Sequence, residues 1–175
     1  MLQTYESMEV DKLLAGAVRT VTNVRYCWLA TGAGDAGFNL RPMGRIVPTP
    51  GENQWAISFI TDGRSRKALE ISRCGRVAAI FQHDPTDAYV ALSGIASLQC
   101  DEVTVRRRWQ RAYDAYFPTE ADRASAAFVD IAVERMELWI RGVTPEPFGL
   151  KPAVLERDGE GTWRLAPAAS CDLVG

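Results

Sequence analysis

Apolar residues recur with two different periods along this chain, and each change of period marks the edge of an element. Residues 9–24, EVDKLLAGAVRTVTNV, place Leu14, Val18 and Val21 at i, i+4 and i+7, with Lys12 and Arg19 on other faces, which predicts an amphipathic helix. Strand-like patterns follow. Residues 25–31 are aromatic and apolar, residues 38–49 carry Phe38, Leu40, Met43, Ile46 and Val47, and residues 54–61 alternate Trp55, Ile57 and Phe59 on one face. Pro42 has no N–H to give to a ladder, so the second of these strands belongs at an edge or a bulge. A second helix is predicted from Ser65, a good N-cap, with Leu69 and Ile71 serving an apolar face and Ala68 beside them.

The second half of the chain reads as strands at 76–82 and 88–100, then a helix over 102–117 that Pro118 stops. Residues 126–143 are ambiguous in period, but Val129, Ile131, Val133, Met136, Leu138 and Ile140 favour one long strand with a single register break. Residues 153–167 predict a hairpin turning at Asp158-Gly159. About six strands, with helices between non-adjacent pieces, predict a mainly β fold: an antiparallel barrel with helical trim rather than a βαβ sheet. The expected organisation is a helical segment at 1–24 packing on a barrel domain at 25–145. Residues 146–175 form an extension of that same domain.

Composition changes this picture little. The chain has 175 residues and a net charge of −2, which gives no general attraction to nucleic acid or to anionic membranes. The N-terminal segment is acidic and lacks the layout of a signal peptide, and no window approaches a membrane span. Cys27, Cys74, Cys100 and Cys171 are far apart, and one histidine, His83, serves the whole chain, so no metal site of Cys and His is expected. A cytoplasmic protein with reduced thiols is the resulting expectation. His83 reads as a turn residue at a strand end, Arg106, Arg107 and Arg108 as a solvated face or ion-pair donors, and the tryptophans at 28, 55 and 109 as core.

Gly32, Gly34 and Gly37 match the spacing GxGxxG after a strand. That fingerprint needs a helix to begin there, so that the helix N-terminus receives a pyrophosphate. Strand-like residues with a proline follow instead, and a glycine-rich hairpin loop is the better reading. There is no GxSxG, HExxH or paired-carboxylate pattern to suggest a hydrolase.

The stretch TDGRSRKALEISR, residues 61–73, carries the chemistry. Arg64, Arg66 and Lys67 crowd the start of the predicted helix, where each cation costs about 0.3–1 kcal/mol against the helix dipole. A bound dianion explains them: free backbone N–H groups, the Ser65 hydroxyl, Arg66 and Lys67 would converge on phosphate oxygens. Surface pairing with Asp62 or Glu70 is the other explanation. No Walker loop is present, so Mg-nucleotide chemistry does not follow. Upstream, RPMGR puts Arg41 beside a proline-broken strand, and SFIT ends a strand just before the cations. A ligand with a planar head at the first and a phosphate at the second would have the shape of flavin mononucleotide (FMN).

Taken in order, LRPMGRIV, WAISFITDGRSRKALEISRCGRVAAIF, YVALSGIASL, YFP and ELWI resemble the pyridoxamine 5′-phosphate oxidase-like FMN-binding split-barrel superfamily, general stress protein branch, over about residues 24–139. The resemblance implies a homodimer of six-stranded Greek-key split barrels with FMN between subunits. It implies that Arg41, Pro42 and Met43 border the isoalloxazine ring, that Ile60 and Thr61 contact the ring or ribityl chain, and that Ser65, Arg66 and Lys67 hold the phosphate. Tyr89 falls where the oxidase proper places an amide on the flavin, and Trp139 matches an aromatic reaching the flavin from the partner chain. The Arg-x-His element that the oxidase uses for pyridoxine phosphate is missing after Trp139, where WIRGVTPEPFG stands. The leading expectation is an FMN-dependent oxidoreductase acting on an unidentified small molecule, with the missing element putting pyridoxamine phosphate oxidation in doubt. A reductase of the same fold using the deazaflavin F420, and a flavin-binding stress or sensor protein without turnover, are the alternatives.

Overall fold

The computed structural model describes residues 2–34, 37–48, 53 and 55–167. Cys171, the ends of two expected strands at Thr49 and Gln54, and the Asp35-Ala36 pair of the glycine loop lie outside them. The described residues form helices α1 (Leu2–Asn23), α2 (Arg66–Arg73), α3 (Glu102–Arg108) and α4 (Glu120–Ala124). They also form strands β1 (Tyr26–Gly32), β2 (Phe38–Gly44), β3 (Ala56–Asp62), β4 (Arg76–His83), β5 (Ala88–Gln99), β6 (Ala126–Ile140), β7 (Ala153–Arg157) and β8 (Trp163–Leu165).

All the strand pairs are antiparallel, in the order β2-β1-β4-β5-β6-β7-β8, with β3 added on β6. Strand β6 makes this possible. One edge pairs with β5 along its length, while the other takes β3 against residues 126–132 and β7 against residues 135–138. Between those two stations the register with β5 shifts at Ser93/Gly94, leaving Glu134 as the extra residue of a bulge. A bulge bends its strand and raises the local twist. The expected register break of the long strand is this one.

Six strands therefore curl into a ring, β2-β1-β4-β5-β6-β3, that closes incompletely. Among the described residues, β2 and β3 share no ladder. The chain just after β2 reaches β3 through a single bridge, in which Ile46 N–H donates to the Ser58 carbonyl at 2.8 Å. The result is a split β-barrel with an extra hairpin, and the glycine-rich loop is the β1–β2 turn, with Gly34 and Gly37 at positive φ. Pro42 lies on the edge strand β2, as its missing N–H requires.

The inner face is filled by Leu29, Phe59, Phe81, Val90, Leu92, Val129, Met136 and Leu138, all fully buried. Helix α1 packs on β4, β5, β6 and β8 through Val10, Leu13, Ala17 and Val21. Each large aliphatic side chain so buried stabilises the fold by about 1.5–3 kcal/mol relative to exposure. The helix starts earlier than its period suggests, and its buried centre is Leu13 and Ala17, with Leu14 and Val18 at the margin.

Three expectations differ in physically informative ways. The helix expected over 102–117 stops at Arg108, and a 3-10 turn, Arg111–Ala115, follows. Trp109 is extended, and its ring meets Tyr113 and Phe117 edge-on at 5.8 Å, while Arg108 grips Asp130 at 2.7 and 2.8 Å. Packing of this second apolar cluster, completed by Phe128, overrides the helical period. Trp28 is not core: it is 48% exposed on the outer face of β1. Leu69 is also exposed, and α2 buries Ala68, Glu70 and Ile71 instead.

Gly94 has the closest backbone approach among the described glycines. A Cβ there would lie 2.0 Å from the Ala132 carbonyl oxygen, whereas one at Gly32 would meet nothing within 4 Å. Gly94→Ala should therefore destabilise the protein by roughly 3 kcal/mol or more, and Gly32→Ala should change it by less than about 1 kcal/mol. Urea unfolding of both variants checks this; equal midpoints would show that the bulge tolerates a side chain.

Candidate functional site

The gap between β2 and β3 places two half-unpaired strand edges opposite one another, and a backbone that lacks a ladder partner is free to bond something else. A cavity of about 320 Å³ opens there, at the low end for a small-molecule site. Its walls are Met43 of β2, Ile60, Thr61 and Asp62 of β3, Lys67 of α2, and Tyr116, Phe117 and Asp122 from the segment before and within α4. It is thus apolar on one side and charged at the end where α2 begins.

Helix α2 starts there because Ser65 caps it. The Ser65 side chain accepts from Ala68 N–H, its carbonyl accepts from Leu69 N–H at 3.1 Å, and Cys74 closes the far end. No acidic residue stands in the first turn. The crowded cations then sort themselves. Arg64 lies outside the helix and binds Asp62 at 2.8 Å, holding that carboxyl down at about 2 by its side-chain hydrogen bonds. Arg66 reaches Glu70 at 3.5 Å but is otherwise solvated, with 74% of its side chain exposed.

Lys67 is different. It is half-buried, its Nζ donates to Thr61 Oγ1 at 2.9 Å, and it makes no ion pair among the described residues. Desolvation pulls its pKa down, and the neighbouring charge of Arg41 pulls it further. Thr61 Oγ1 lies 3.5 Å from Ser65 Oγ, so Lys67, Thr61 and Ser65 form one polar cluster at the head of α2. Asp62 and Asp122 stand on the same cavity wall, and Asp62 partly offsets the charge of Lys67 without forming an ion pair with it. A cation beside a capping hydroxyl and a helix N-terminus can receive an anion.

Next to this cluster sits a buried carboxylate. Glu70 accepts from Thr31 Oγ1 and Asn39 Nδ2, both at 2.5 Å, and from Arg41 Nη2 at 3.0 Å. Arg41 also donates to Thr31 Oγ1, and only 16% of its side chain is exposed. The Thr31 hydrogen bond, with those of Asn39 and Arg41, keeps the Glu70 pKa below the usual range despite burial.

These features sit in a chain whose residues 14–149 match the family model described as pyridoxamine 5′-phosphate oxidase like. The chain belongs to that family. Solved structures share its fold. A protein from Clostridium acetobutylicum related to general stress protein 26 aligns at TM-score 0.67 with 15% identity, over 83% of this chain and 95% of that one. A pyridoxamine 5′-phosphate oxidase-related, FMN-binding protein from Nostoc punctiforme aligns at 0.62 with 16% identity, over 89% and 94%. PhzG from Burkholderia lata, solved with tetrahydrophenazine-1-carboxylic acid, aligns at 0.63 with 18% identity, over 89% and 88%. No curated protein matches the chain.

Within this oxidase-like fold the expected site residues fall into two groups. Met43, Ile60, Thr61 and Lys67 line the cavity, and Ser65 and Arg66 stand at its charged end. Arg41 points to Glu70 and lies near Lys67 at that same end, rather than on the apolar wall. Pro42, Tyr89 and Trp139 are elsewhere. Pro42 is on the outer face of β2, and Tyr89 and Trp139 are cross-strand partners on the outer face of β5 and β6, where Tyr89 also meets the Phe148 ring at 6.5 Å. Sequence reasoning did not single out Glu70 or Tyr116 as site residues; a Glu inside a cation-rich helix, and an aromatic in the YFP stretch, were the available signals.

Other cavities are larger. One of about 640 Å³ lies by the bulge, where Arg76 pairs with Glu134 and Arg135 with Glu156. Another of about 820 Å³ lies between β3 and α3, where Arg108 is committed to Asp130. Most of their charged side chains are held in these ion pairs, whereas Lys67 makes none among the described residues.

Because the folded-state pKa of Lys67 is below its unfolded value, the unfolded chain holds this proton more tightly. Stability should rise as pH climbs through the window between the two values, and Lys67→Met should remove that rise. At pH 7 the same variant should melt roughly 2–4 °C higher, about 1 kcal/mol. Thermal scans at pH 7 and pH 10 test this; a lower melting point at pH 7 would show that the charge is already compensated.

Proposed function

We propose that this chain binds FMN at the β2–β3 cleft and works as a flavin-dependent oxidoreductase on a small molecule. The unpaired, half-buried Lys67 at a capped helix start carries the reading. The residues present fit the group. Lys67, Arg66, the Ser65 hydroxyl and the N–H groups of α2 would hold a phosphate, with Arg41 adding charge from β2. Met43, Ile60, Tyr116 and Phe117 offer apolar surface for a ring, and the free edges of β2 and β3 offer backbone donors and acceptors at ring polar atoms. When bound, FMN supplies hydride chemistry; the chain's part is to bind, orient and shield it.

A second copy of the chain completes the site in this reading. The outer face of β1 and β2 exposes Tyr26, Trp28, Phe38 and Leu40, with Phe38 74% exposed, a contiguous apolar surface of the kind that marks an interface. Tyr89 and Trp139 stand on outer sheet faces and line no part of their own cleft. Burial of that surface between two copies would let Trp139 act on the partner's cofactor. The oxidase-specific Arg-x-His is absent from WIRGVTPEPFG, and Arg141 there is paired with Asp87 at 2.7 Å, so pyridoxamine phosphate is not the substrate we propose.

The absorption spectrum and mass of the cofactor in purified protein test the reading, and mass separates FMN from F420. A colourless protein that also refuses added FMN would overturn it. Replacing Arg66 and Lys67 together by Ala should weaken FMN binding at least tenfold, at about 1.4 kcal/mol per tenfold step, and leave riboflavin binding nearly unchanged. Trp28→Glu should convert a dimer to monomer in light scattering; an unchanged mass would place the interface elsewhere.

A further inference from the structure

The cleft gathers three cations, Arg41, Arg66 and Lys67, around a helix start, and one of the residues they surround is an acid. Glu70 is only 8% exposed and is contacted from three elements: Thr31 of β1, Asn39 and Arg41 of β2, and Arg66 of its own helix. A buried carboxylate at an anion site is at odds with anion binding, since like charges within several ångströms oppose each other. It is not at odds with folding. Without ligand, Arg41 and Lys67 already repel each other, and Glu70 is the carboxylate that offsets Arg41 and Arg66.

We propose that Glu70 is the internal counter-ion of this site: it occupies the cations when no phosphate is bound, and a bound phosphate competes with it for them. The proposal rests on the phosphate reading of the cleft. Its geometry supports competition rather than simple anchoring. Arg66 keeps most of its guanidinium in solvent while its Nε faces Glu70, and Arg41 gives Glu70 one N–H of several. Both guanidinium groups therefore have donors left that a phosphate would draw on, and the charge of Glu70 works against that pull. Simple anchoring would instead predict that loss of the carboxylate disorders Arg41 and weakens binding. The two accounts give opposite signs for one measurement.

The test compares Glu70→Gln with the wild type in fluorescence titrations with FMN and with riboflavin, and in melting scans without flavin. Competition predicts that the variant melts lower when empty, binds FMN more tightly by roughly tenfold, the scale of one charge removed at a part-buried site, and binds riboflavin within about twofold of wild type. Weaker or unchanged FMN binding by the variant, with the wild type binding normally, would overturn the proposal and leave Glu70 as an anchor or a bystander. If Glu70→Gln does not fold, carbon-13 NMR of the wild-type carboxyl replaces it. FMN should raise the Glu70 pKa and riboflavin should not, and equal values with both would overturn the proposal. Failure of the wild type to bind FMN, or inorganic phosphate in a melting scan, would sink the phosphate reading itself.

Discussion

Strand β6 hydrogen-bonds to three other strands, and the architecture of the cleft depends on how it manages this. A straight strand has two edges and serves two neighbours. The bulge at Glu134 divides the second edge, so that β3 takes the first half of β6 and β7 the second. Because β3 is held on β6, its free edge turns toward β2, which is itself held on β1 alone. Among the described residues the barrel then closes only through the Ile46–Ser58 bridge, and the gap that remains is where the cavity lies. Gly94 permits all of this, since any side chain at that position would strike the Ala132 carbonyl.

The gap would be only a flaw in the sheet without the charges that stand at its end. Lys67 is partly desolvated and makes no ion pair among the described residues, whereas Arg64, two residues beyond the end of β3 at Asp62, is neutralised by that carboxylate. The crowded cations of the helix start therefore do not share one explanation. Surface pairing accounts for Arg64 and, in part, for Arg66. It does not account for Lys67, which makes no ion pair among the described residues and is the cation on which the proposed FMN reading rests.

Much of this was legible in the residues, and the failures share a cause. Elements defined by alternation or by a cap, such as β3, α2 and the β7–β8 hairpin, appear as read. The split-barrel fold followed from the order of motifs rather than from periodicity alone. Errors arose where side chains far apart in sequence decide the local outcome. Helix α3 ends early because Arg108 must reach Asp130 and Trp109 must reach Tyr113 and Phe117. Trp28 looked like core because apolar character says nothing about which face of the sheet will be covered. Glu70 could be read only as a possible surface partner, since its burial depends on Thr31 and Asn39, which lie 39 and 31 residues away.

Charge balance around α2 explains why such a site resists recognition from local rules. A helix start optimised for stability would carry Asp or Glu in its first turn. This one carries Arg66 and Lys67 there and places its acid one turn later, buried and saturated with donors. In the proposed reading Glu70 holds Arg41 and Arg66 until a phosphate draws on them, while the carboxylates on the cavity wall itself are Asp62, paired with Arg64, and Asp122, engaged in the cap of α4. The position of Glu70, more than the number of cations, is what leads us to propose a phosphate site here rather than an ordinary salt-bridged surface.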